Sequence, residues 1–195
     1  QWAWFVPHDG DGLVELMGGR DAFIGKLDSL FTADSKLEGE STSVDISGLI
    51  GQYAHGNEPS HHIAHLYNYV GQPWRTQEIV DEVLHTLYFN NPDGLSGNED
   101  CGQMSAWYIL NAMGFYQVCP GKPVYSIGRP LFNEATVHLK DGKSFKVIAH
   151  NNSRDNKYVR SIVLNGNKLE TPFFTHQDIV DGGTLELTMG SEPLK

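Results

Sequence analysis

The spacing of the apolar residues changes once along the chain, and this change limits the folds that the chain can adopt. Up to about Gly114 the apolar residues recur every three or four positions, as on one face of a helix. From about Val118 onward they alternate with polar residues, as in half-buried strands. We therefore predict an α+β protein with a helical region at 1–117 and a β-rich region at 118–195. A chain of 195 residues can form one good hydrophobic core or two small ones.

Apolar stripes at helical spacing mark four segments of the first region. They predict helices over 21–31, 59–70, 73–87 and 102–113. Pro59 suits a first helical turn, and Gly71 and Gly114 suit helix ends. A weaker helical turn is predicted around 46–53.

The second region contains two typical hairpin turns. Asp141-Gly142 separates apolar alternation at 135–139 from that at 144–149, and Asn165-Gly166 separates 160–164 from 167–171. A last strand is predicted at 183–189. These strands predict a small antiparallel sheet or sandwich.

Charge and cysteine content exclude several classes of function. The formal net charge is -10, from 14 basic and 24 acidic residues, so we expect no nucleic-acid partner. The apolar runs are too short to predict a membrane span. Cys101 and Cys119 make neither a disulfide framework nor a metal site, and one bridge or two free thiols remain open.

Two loops that lead into predicted helices, 55–62 and 97–103, are rich in oxygen donors and each carries a carboxylate. Such loops suit a hard cation and a polyhydroxylated substrate. Each also has a structural interpretation. Asp100 and Gln103 have the spacing of a capping box. Glu58 could cap a helix, or Asn57 could cap it and leave Glu58 in the first turn.

The order Asn98, Glu99, Asp100 adds a second observation. In an extended loop the side chains of Asn98 and Asp100 point to one side and that of Glu99 to the other. Two oxygen-bearing groups on one side could hold a water or a metal.

Further upstream, His8-Asp9-Gly10-Asp11-Gly12 resembles part of a calcium loop without its full spacing, and Asp11 could simply cap a helix.

Four histidines, His55, His61, His62 and His65, surround the first loop. His61 and His65 are four residues apart, as paired zinc ligands can be. However, His62 stands where the His-Glu-x-x-His motif has its glutamate, and the sequence indicates no third ligand. Hydrogen bonding to sugar hydroxyls, or packing, fits these residues better than a zinc hydrolase does.

Three motifs closely resemble glycoside hydrolase family 92: WFVPHD at 4–9, HGNEPSHH at 55–62 and GLSGNEDCGQMSAW at 94–107. They stand in the family's order. The resemblance implies a calcium-dependent, inverting exo-α-mannosidase with an N-terminal β-sandwich and an (alpha/alpha)6-barrel catalytic domain. By the resemblance, this chain is the C-terminal part, with the last barrel helices and the terminal strands. The apolar start of the chain, which has no methionine, also indicates a piece of a longer protein.

The resemblance also assigns roles to residues. It implies calcium near Asn57 and Glu58, with Asp100 as the general base; Asn98 stands where the family often has a second acid. The general acid would lie upstream of Gln1, so we expect the chain alone to be inactive or nearly so, and to need the rest of the same protein as its partner. The implied substrate is terminal α-linked mannose of N-glycans or mannan, and the implied location is periplasmic, cell-surface or secreted. The side chains expected to contact mannose are His8, Asp9, His55, His61 and Glu99.

A different class of function stays open. The β-rich region and acidic surface also allow a carbohydrate-binding or interaction module that has no chemistry of its own.

Overall fold

A computed structural model describes residues 2–37 and 46–195. Helices dominate the first part of these residues and strands the second, as the change in periodicity predicts. The α-helices are α1 (Gly10–Leu16), α2 (Arg20–Thr32), α3 (Leu66–Tyr69), α4 (Pro73–Thr86), α5 (Gln103–Met113) and α6 (His176–Val180). The strands are β1 (Leu49–Ile50), β2 (Tyr53–Ala54), β3 (Phe115–Tyr116), β4 (Val124–Ile127), β5 (Glu134–His138), β6 (Ser144–His150), β7 (Tyr158–Leu164), β8 (Asn167–Lys168), β9 (Phe173–Thr175) and β10 (Gly183–Gly190).

The three longest helices form where the apolar stripes predict them. Helix α2 buries Phe23, Leu27 and Phe31 on one face. Helix α4 starts at Pro73, whose missing N–H is not needed in a first turn. Helix α5 ends at Gly114, which has a left-handed φ of 102°. These three predictions are confirmed to within one or two residues.

The predicted helix over 59–70 is wrong as a single element. This segment forms a 3₁₀ turn at Glu58–Ser60, a second at Ile63–His65, and only then the short helix α3. Nearly every residue from 60 to 70 is buried, so the segment has no solvent-facing side. Tertiary contacts on all sides decide its conformation, and the apolar stripe does not reveal them.

The predicted helical turn over 46–53 is also wrong. Strands β1 and β2 pair there as a hairpin, with Ile50 opposite Tyr53. Gly51 in the turn has a φ of 59°, and a Cβ at this position would lie 2.4 Å from the carbonyl oxygen of Leu30. The hairpin therefore packs directly against the end of α2, because only glycine allows that approach.

The main sheet has five strands in the order β5-β6-β10-β7-β8. The β5–β6 and β7–β8 hairpins form around Asp141-Gly142 and Asn165-Gly166 as predicted. The sheet is not purely antiparallel, however, because β10 inserts between β6 and β7 and runs parallel to β6. A second sheet, β3-β4-β9, was not predicted, since its strands are short.

Two apolar clusters form the core of the described residues. One joins α2, the β1–β2 hairpin, the 63–70 segment, α4 and Trp107 of α5. The other joins side chains from both sheets, including a stacked pair of rings from Phe145 and Phe174. Leu110 of α5 packs against both clusters. The boundary at residue 117 stays a prediction, as does the place of these helices in a barrel.

Polar contacts also join the helical and β-rich parts. The backbone N–H of Val159 in β7 donates to the side chain of Gln77 in α4, and the hydroxyl of Tyr158 donates to Glu78. Arg129, only 2% exposed, places its Nε 2.9 Å from a carboxylate oxygen of Asp81 in α4.

Cys101 and Cys119 are free thiols, so no bridge joins them. No helix in the described part of the chain is long and apolar enough to cross a membrane.

Candidate active site

An open cleft of about 660 Å³ contains several of the side chains that the sequence singles out. Four separate stretches of chain form its walls. Its lining residues are Trp2, Phe5, Pro7, Asn57, Glu58, Pro59, His61, His62, Gln103, Tyr116, Gln117, Val118 and Pro120. The fold thus brings Asn57, Glu58 and His61 together with the first residue of α5.

The 3₁₀ turn after β2 presents Asn57 and Glu58 to the cleft. Asn57 is extended and precedes the turn, and Glu58 is its first residue, followed by Pro59. This arrangement matches the alternative with Glu58 in the first turn, although the side chain of Asn57 does not cap it. Glu58 is exposed, so its carboxylate is available to a ligand in the cleft.

His61 is held by hydrogen bonds to both of its ring nitrogens. Nε2 lies 2.9 Å from the carbonyl oxygen of His55, and Nδ1 lies 3.0 Å from the amide nitrogen of Gln103. A carbonyl oxygen only accepts, so Nε2 carries the proton and Nδ1 accepts in the neutral ring. Burial lowers the pKa of His61, against weaker opposing effects of the His55 carbonyl and Glu58, so the ring is neutral near pH 7.

His55 packs against His61 but is not itself among the residues that line the cleft. It is fully buried between two tyrosine hydroxyls, that of Tyr53 at 2.8 Å from Nδ1 and that of Tyr88 at 2.7 Å from Nε2. Its ring packs at 4.4 Å, centroid to centroid, against Trp107. Burial lowers the pKa of His55 well below its usual value. Direct contact between His55 and a sugar stays a prediction.

The other two histidines fix the cleft to its surroundings. Nε2 of His62 lies 2.8 Å from the carbonyl oxygen of Trp4 and connects the N-terminal aromatic residues to this wall. His65 is fully buried, with Nδ1 3.1 Å from the Ser126 hydroxyl and Nε2 2.9 Å from the Asn111 amide oxygen. The ring nitrogens of His61 and His65 are thus all hydrogen-bonded within the protein, which does not favour the zinc alternative.

The capping box predicted from Asp100 and Gln103 is wrong. Asp100, Cys101 and Gly102 have φ values of 54°, 57° and 95°, and Gly102 occupies the N-cap position of α5. The Gln103 side chain instead contacts His61 and the Tyr116 hydroxyl. The first turn of α5 is held by Glu99, whose carboxylate accepts from the backbone N–H of Ser105 at 2.8 Å.

Glu99, Asp100 and Asn98 belong to this turn and are not among the residues that line the cleft. Asn98 is exposed, and Glu99 and Asp100 are half-buried. The turn is nevertheless attached to the cleft wall, because the N–H of Gln103 donates to the carbonyl of Asp100 at 3.2 Å. The roles predicted for these three residues stay predictions.

His8 and Asp9 are exposed and follow Pro7, a residue of the cleft wall. Asp9 caps α1 by accepting from the N–H of Gly12 at 2.9 Å, so the cap expected from Asp11 is wrong and Asp11 lies in the first turn. The carbonyl of His8 accepts from Lys122 Nζ at 2.5 Å, which connects the start of the chain to the loop after β3. Sugar contacts of His8 and Asp9 stay predictions.

Sequence reasoning did not assign Gln103, Tyr116, Trp2 or Phe5 to the cleft. The spacing of Gln103 from Asp100 was interpreted as a capping box, so the contacts of its side chain with His61 and Tyr116 were not predicted. Trp2 and Phe5 are 73% and 45% exposed, and their rings meet edge to face. In the sequence, the feature that could have indicated them is the position of these aromatic residues just before the polar residues His8 and Asp9.

The donors in the cleft are suitable for a hard cation. Asn57 and Glu58 offer amide and carboxylate oxygens, which Ca²⁺ prefers. No group of three or more His, Cys, Asp or Glu side chains that could hold a metal occurs within residues 2–37 and 46–195. Further ligands would therefore have to include hydroxyl, amide, backbone or water oxygens.

A second cleft of about 670 Å³ beside α5 contains neither carboxylate nor histidine, so it is a weaker candidate for acid–base chemistry.

Comparison with known proteins identifies the family of this chain. The family model for the glycosyl hydrolase family 92 catalytic domain matches residues 1–191. An uncharacterized secreted glycosidase of Arthroderma benhamiae is 32% identical over 192 residues, which are 97% of this chain and 23% of that protein. The chain therefore belongs to glycosyl hydrolase family 92.

Solved structures of the family share the fold. The GH92 alpha-mannosidase BT3965 from Bacteroides thetaiotaomicron is 43% identical, with a TM-score of 0.89, over 98% of this chain and 25% of that one. The inverting mannosidase BT2199 from the same organism is 45% identical, with a TM-score of 0.84, over 98% of this chain and 27% of that one. The chain thus spans about a quarter of the length of the relatives that it matches.

Proposed function

We propose that this chain is the C-terminal part of a calcium-dependent, inverting exo-α-mannosidase that removes terminal α-linked mannose from N-glycans or mannan. One observation carries the proposal: Asn57, Glu58 and His61, all from one of the three motifs that resemble the family, line a single open cleft. Solved relatives of 43% and 45% identity are an α-mannosidase and an inverting mannosidase, which supports the proposed reaction.

Asp100 is the proposed general base, which takes a proton from the attacking water. Its left-handed backbone supports this role, because strained conformations concentrate at functional sites. Asn98 cannot act as a base, since its side chain is a neutral amide. The catalytic carboxylate of this turn is therefore assigned to Asp100, with Asn98 as a polar neighbour.

Asn57 and Glu58 are the proposed calcium ligands on this chain. Their oxygen donors face the cleft, and their chemistry fits the ion. When bound, calcium would supply positive charge to the hydroxyls of the sugar and orient the ring. The protein side chains around it would exclude bulk water and hold the sugar in a fixed orientation.

Of the proposed sugar contacts, His61 is the best placed, because it lines the cleft. His55 supports it from behind through its backbone carbonyl. His8 and Asp9 stand next to the wall, and Glu99 holds the turn that carries Asp100. We expect His55 and Glu99 to act through these neighbours more than by touching mannose.

The proton donor to the leaving sugar is proposed to lie upstream of Gln1, on the basis of the resemblance alone. Inverting hydrolysis needs two carboxyl groups about 6.5–9.5 Å apart, one as acid and one as base. With only the base, the chain by itself would be inactive or nearly so. The partner that this chain needs for activity would then be the rest of the same protein.

Hydrolysis of an aryl α-mannoside by the longer protein that contains this chain tests the proposal. We expect activity to be lost with a chelator and restored by CaCl₂, and the 195-residue chain alone to be inactive. Proton NMR of the first turnovers should show β-mannose. Release of α-mannose, or full activity in the chelator, would reject the mechanism.

A carbohydrate-binding module without catalysis is the second candidate. The exposed rings of Trp2 and Phe5 at the cleft favour it, because aromatic faces can stack on sugar rings. Calorimetry with a mannose-type inhibitor separates the two functions. Affinity that persists in a chelator indicates the binding module, and affinity that requires calcium supports the mannosidase.

A periplasmic, cell-surface or secreted location is also proposed. It is supported by the relative named as a secreted glycosidase. Fractionation of the producing cells, followed by immunoblotting, tests it. Detection of the protein only in the cytoplasmic fraction would contradict the proposal.

A further inference from the structure

Gln103 connects three walls of the cleft through one side chain. Its amide nitrogen donates to Nδ1 of His61 at 3.0 Å and to the hydroxyl of Tyr116 at 3.2 Å. Gln103 is the first residue of α5, His61 belongs to the segment between two 3₁₀ turns, and Tyr116 belongs to β3. Three elements that are distant in sequence thus meet at one amide group.

The direction of these hydrogen bonds follows from the neighbours. Nε2 of His61 faces a backbone carbonyl and must donate, so Nδ1 of the neutral ring can only accept. The group opposite Nδ1 therefore has to be a donor. The NH₂ of glutamine satisfies this requirement, and its second N–H serves Tyr116. A carboxylate at the same position could only accept.

The same residue joins the two loops that carry the proposed chemistry. The backbone N–H of Gln103 donates to the carbonyl of Asp100 at 3.2 Å, and the backbone N–H of His61 donates to the carbonyl of Glu58 at 3.0 Å. A continuous path of hydrogen bonds therefore runs from Glu58 through His61 and Gln103 to Asp100.

We propose that Gln103 is a positioning residue that sets the distance between the Glu58 loop and the Asp100 turn and fixes the Nε2–H tautomer of His61. The proposal rests on the function proposed above for these two loops. Displacing a reacting group by about 1 Å can lower a rate about 100-fold. The loss of this bridge should accordingly affect turnover more than substrate binding.

Kinetics of the longer protein with Gln103→Met provide the first test. Methionine fills a similar volume but donates no hydrogen bond. We expect kcat to fall about 10- to 100-fold, while KM changes less than about 3-fold. Gln177→Met is the matched control, because the amide of Gln177 donates to Asp181, the C-cap residue of α6, and neither residue lines the cleft, so its loss should leave kcat unchanged.

Nitrogen NMR of histidine-labelled protein provides a second test that does not need activity. Wild-type His61 should show a protonated Nε2 and a hydrogen-bonded Nδ1, and Gln103→Met should shift the Nδ1 signal to that of a free acceptor. Gln103→Asn, which withdraws the amide by one methylene, should give the same two results if the methionine variant does not fold.

An unchanged kcat together with an altered Nδ1 signal would overturn the positioning role. An unchanged Nδ1 signal would overturn the bridge itself. If the wild-type protein hydrolyses no α-mannoside, the proposed function fails, while the NMR result still decides whether Gln103 fixes the His61 tautomer.

Discussion

At the scale of single residues, two consecutive residues before α5 adopt a left-handed backbone conformation, which is unfavourable for most residues other than glycine. Asp100 and Cys101 have φ values of 54° and 57°. A left-handed non-glycine residue costs on the order of 1–2 kcal/mol. Glu99, bonded to the N–H of Ser105, and Gln103, bonded to the carbonyl of Asp100, hold the turn in place. Local sequence rules predict a helix cap at Asp100 because they do not take these particular hydrogen bonds into account.

Asp100→Asn tests the proposed base without changing the backbone preference. Asparagine tolerates the left-handed region as well as aspartate does, but it cannot take a proton. We expect mannosidase activity of the longer protein to fall about 100- to 10,000-fold, with the free energy of unfolding changed by less than about 0.5 kcal/mol. Asp155→Asn, an exposed change outside the site, is the control. Activity within threefold of the wild type would contradict the assignment.

His65 should make the free energy of unfolding depend on pH. Burial lowers its pKa to about 4 from 6.5, although the hydrogen bond to Asn111 opposes this shift. Between pH 6.5 and 4 the unfolded chain binds a proton that the folded chain does not, so stability falls as pH falls. The full effect is about 3 kcal/mol.

Urea unfolding at pH 7.0, 5.5 and 4.5 measures this dependence. Three other buried histidines, His55, His61 and His62, have pKa values lowered in the same direction, so the wild-type slope should be steep. His65→Gln, which cannot titrate, should reduce the slope by about one proton. Equal slopes in the two proteins would show that His65 does not titrate as proposed.

At the scale of elements, the sequence predicts helices and hairpins where one face meets solvent. Helices α2, α4 and α5 follow from their stripes, and the hairpins of the main sheet follow from Asp141-Gly142 and Asn165-Gly166. The segment 60–70 could not be predicted because nearly all of its residues are buried. The insertion of β10 beside β6 could not be predicted either, since periodicity does not encode which strands pair.

The β1–β2 hairpin gives a stability prediction at this scale. In Gly51→Ala the new Cβ would lie 2.4 Å from the carbonyl of Leu30, at a φ of 59°. We expect a loss of about 2 kcal/mol or more in unfolding free energy. Gly25→Ala, in α2 with nothing within 4 Å, should instead stabilise by about 0.5–1 kcal/mol. Thermal and urea unfolding of both variants measure the difference, and a neutral Gly51→Ala would contradict the close approach.

At the scale of the whole molecule, α4 joins the helical part to the β-rich part. Its Gln77 and Glu78 bond β7, and its Asp81 pairs with buried Arg129. The change in periodicity predicts both parts, but not that they would be connected so extensively. Of the residues that line the cleft, the sequence predicted roles for Asn57, Glu58 and His61, whereas the place of Gln103 and Tyr116 follows from tertiary contacts that the sequence does not reveal.

Arg129→Met tests this connection. It leaves the carboxylate of Asp81 with His85 at 3.3 Å and the largely exposed Arg154 at 3.6 Å. Breaking a buried ion pair costs about 3–5 kcal/mol, so we expect a loss of about 3 kcal/mol in urea unfolding. The double variant Arg129→Met with Asp81→Asn should recover part of it. A double variant no more stable than the single one would contradict the charge argument.

The contact between Lys122 and the carbonyl of His8 joins residues 114 positions apart at the rim of the cleft. A binding surface assembled from such distant stretches of polypeptide cannot survive partial melting of the chain. Any saccharide or ion that occupies it must therefore raise the melting temperature in proportion to the logarithm of its concentration. Ligand titration followed by calorimetric melting thus reports on whether the stretches that line the cleft, from Trp2 to Pro120, stay assembled.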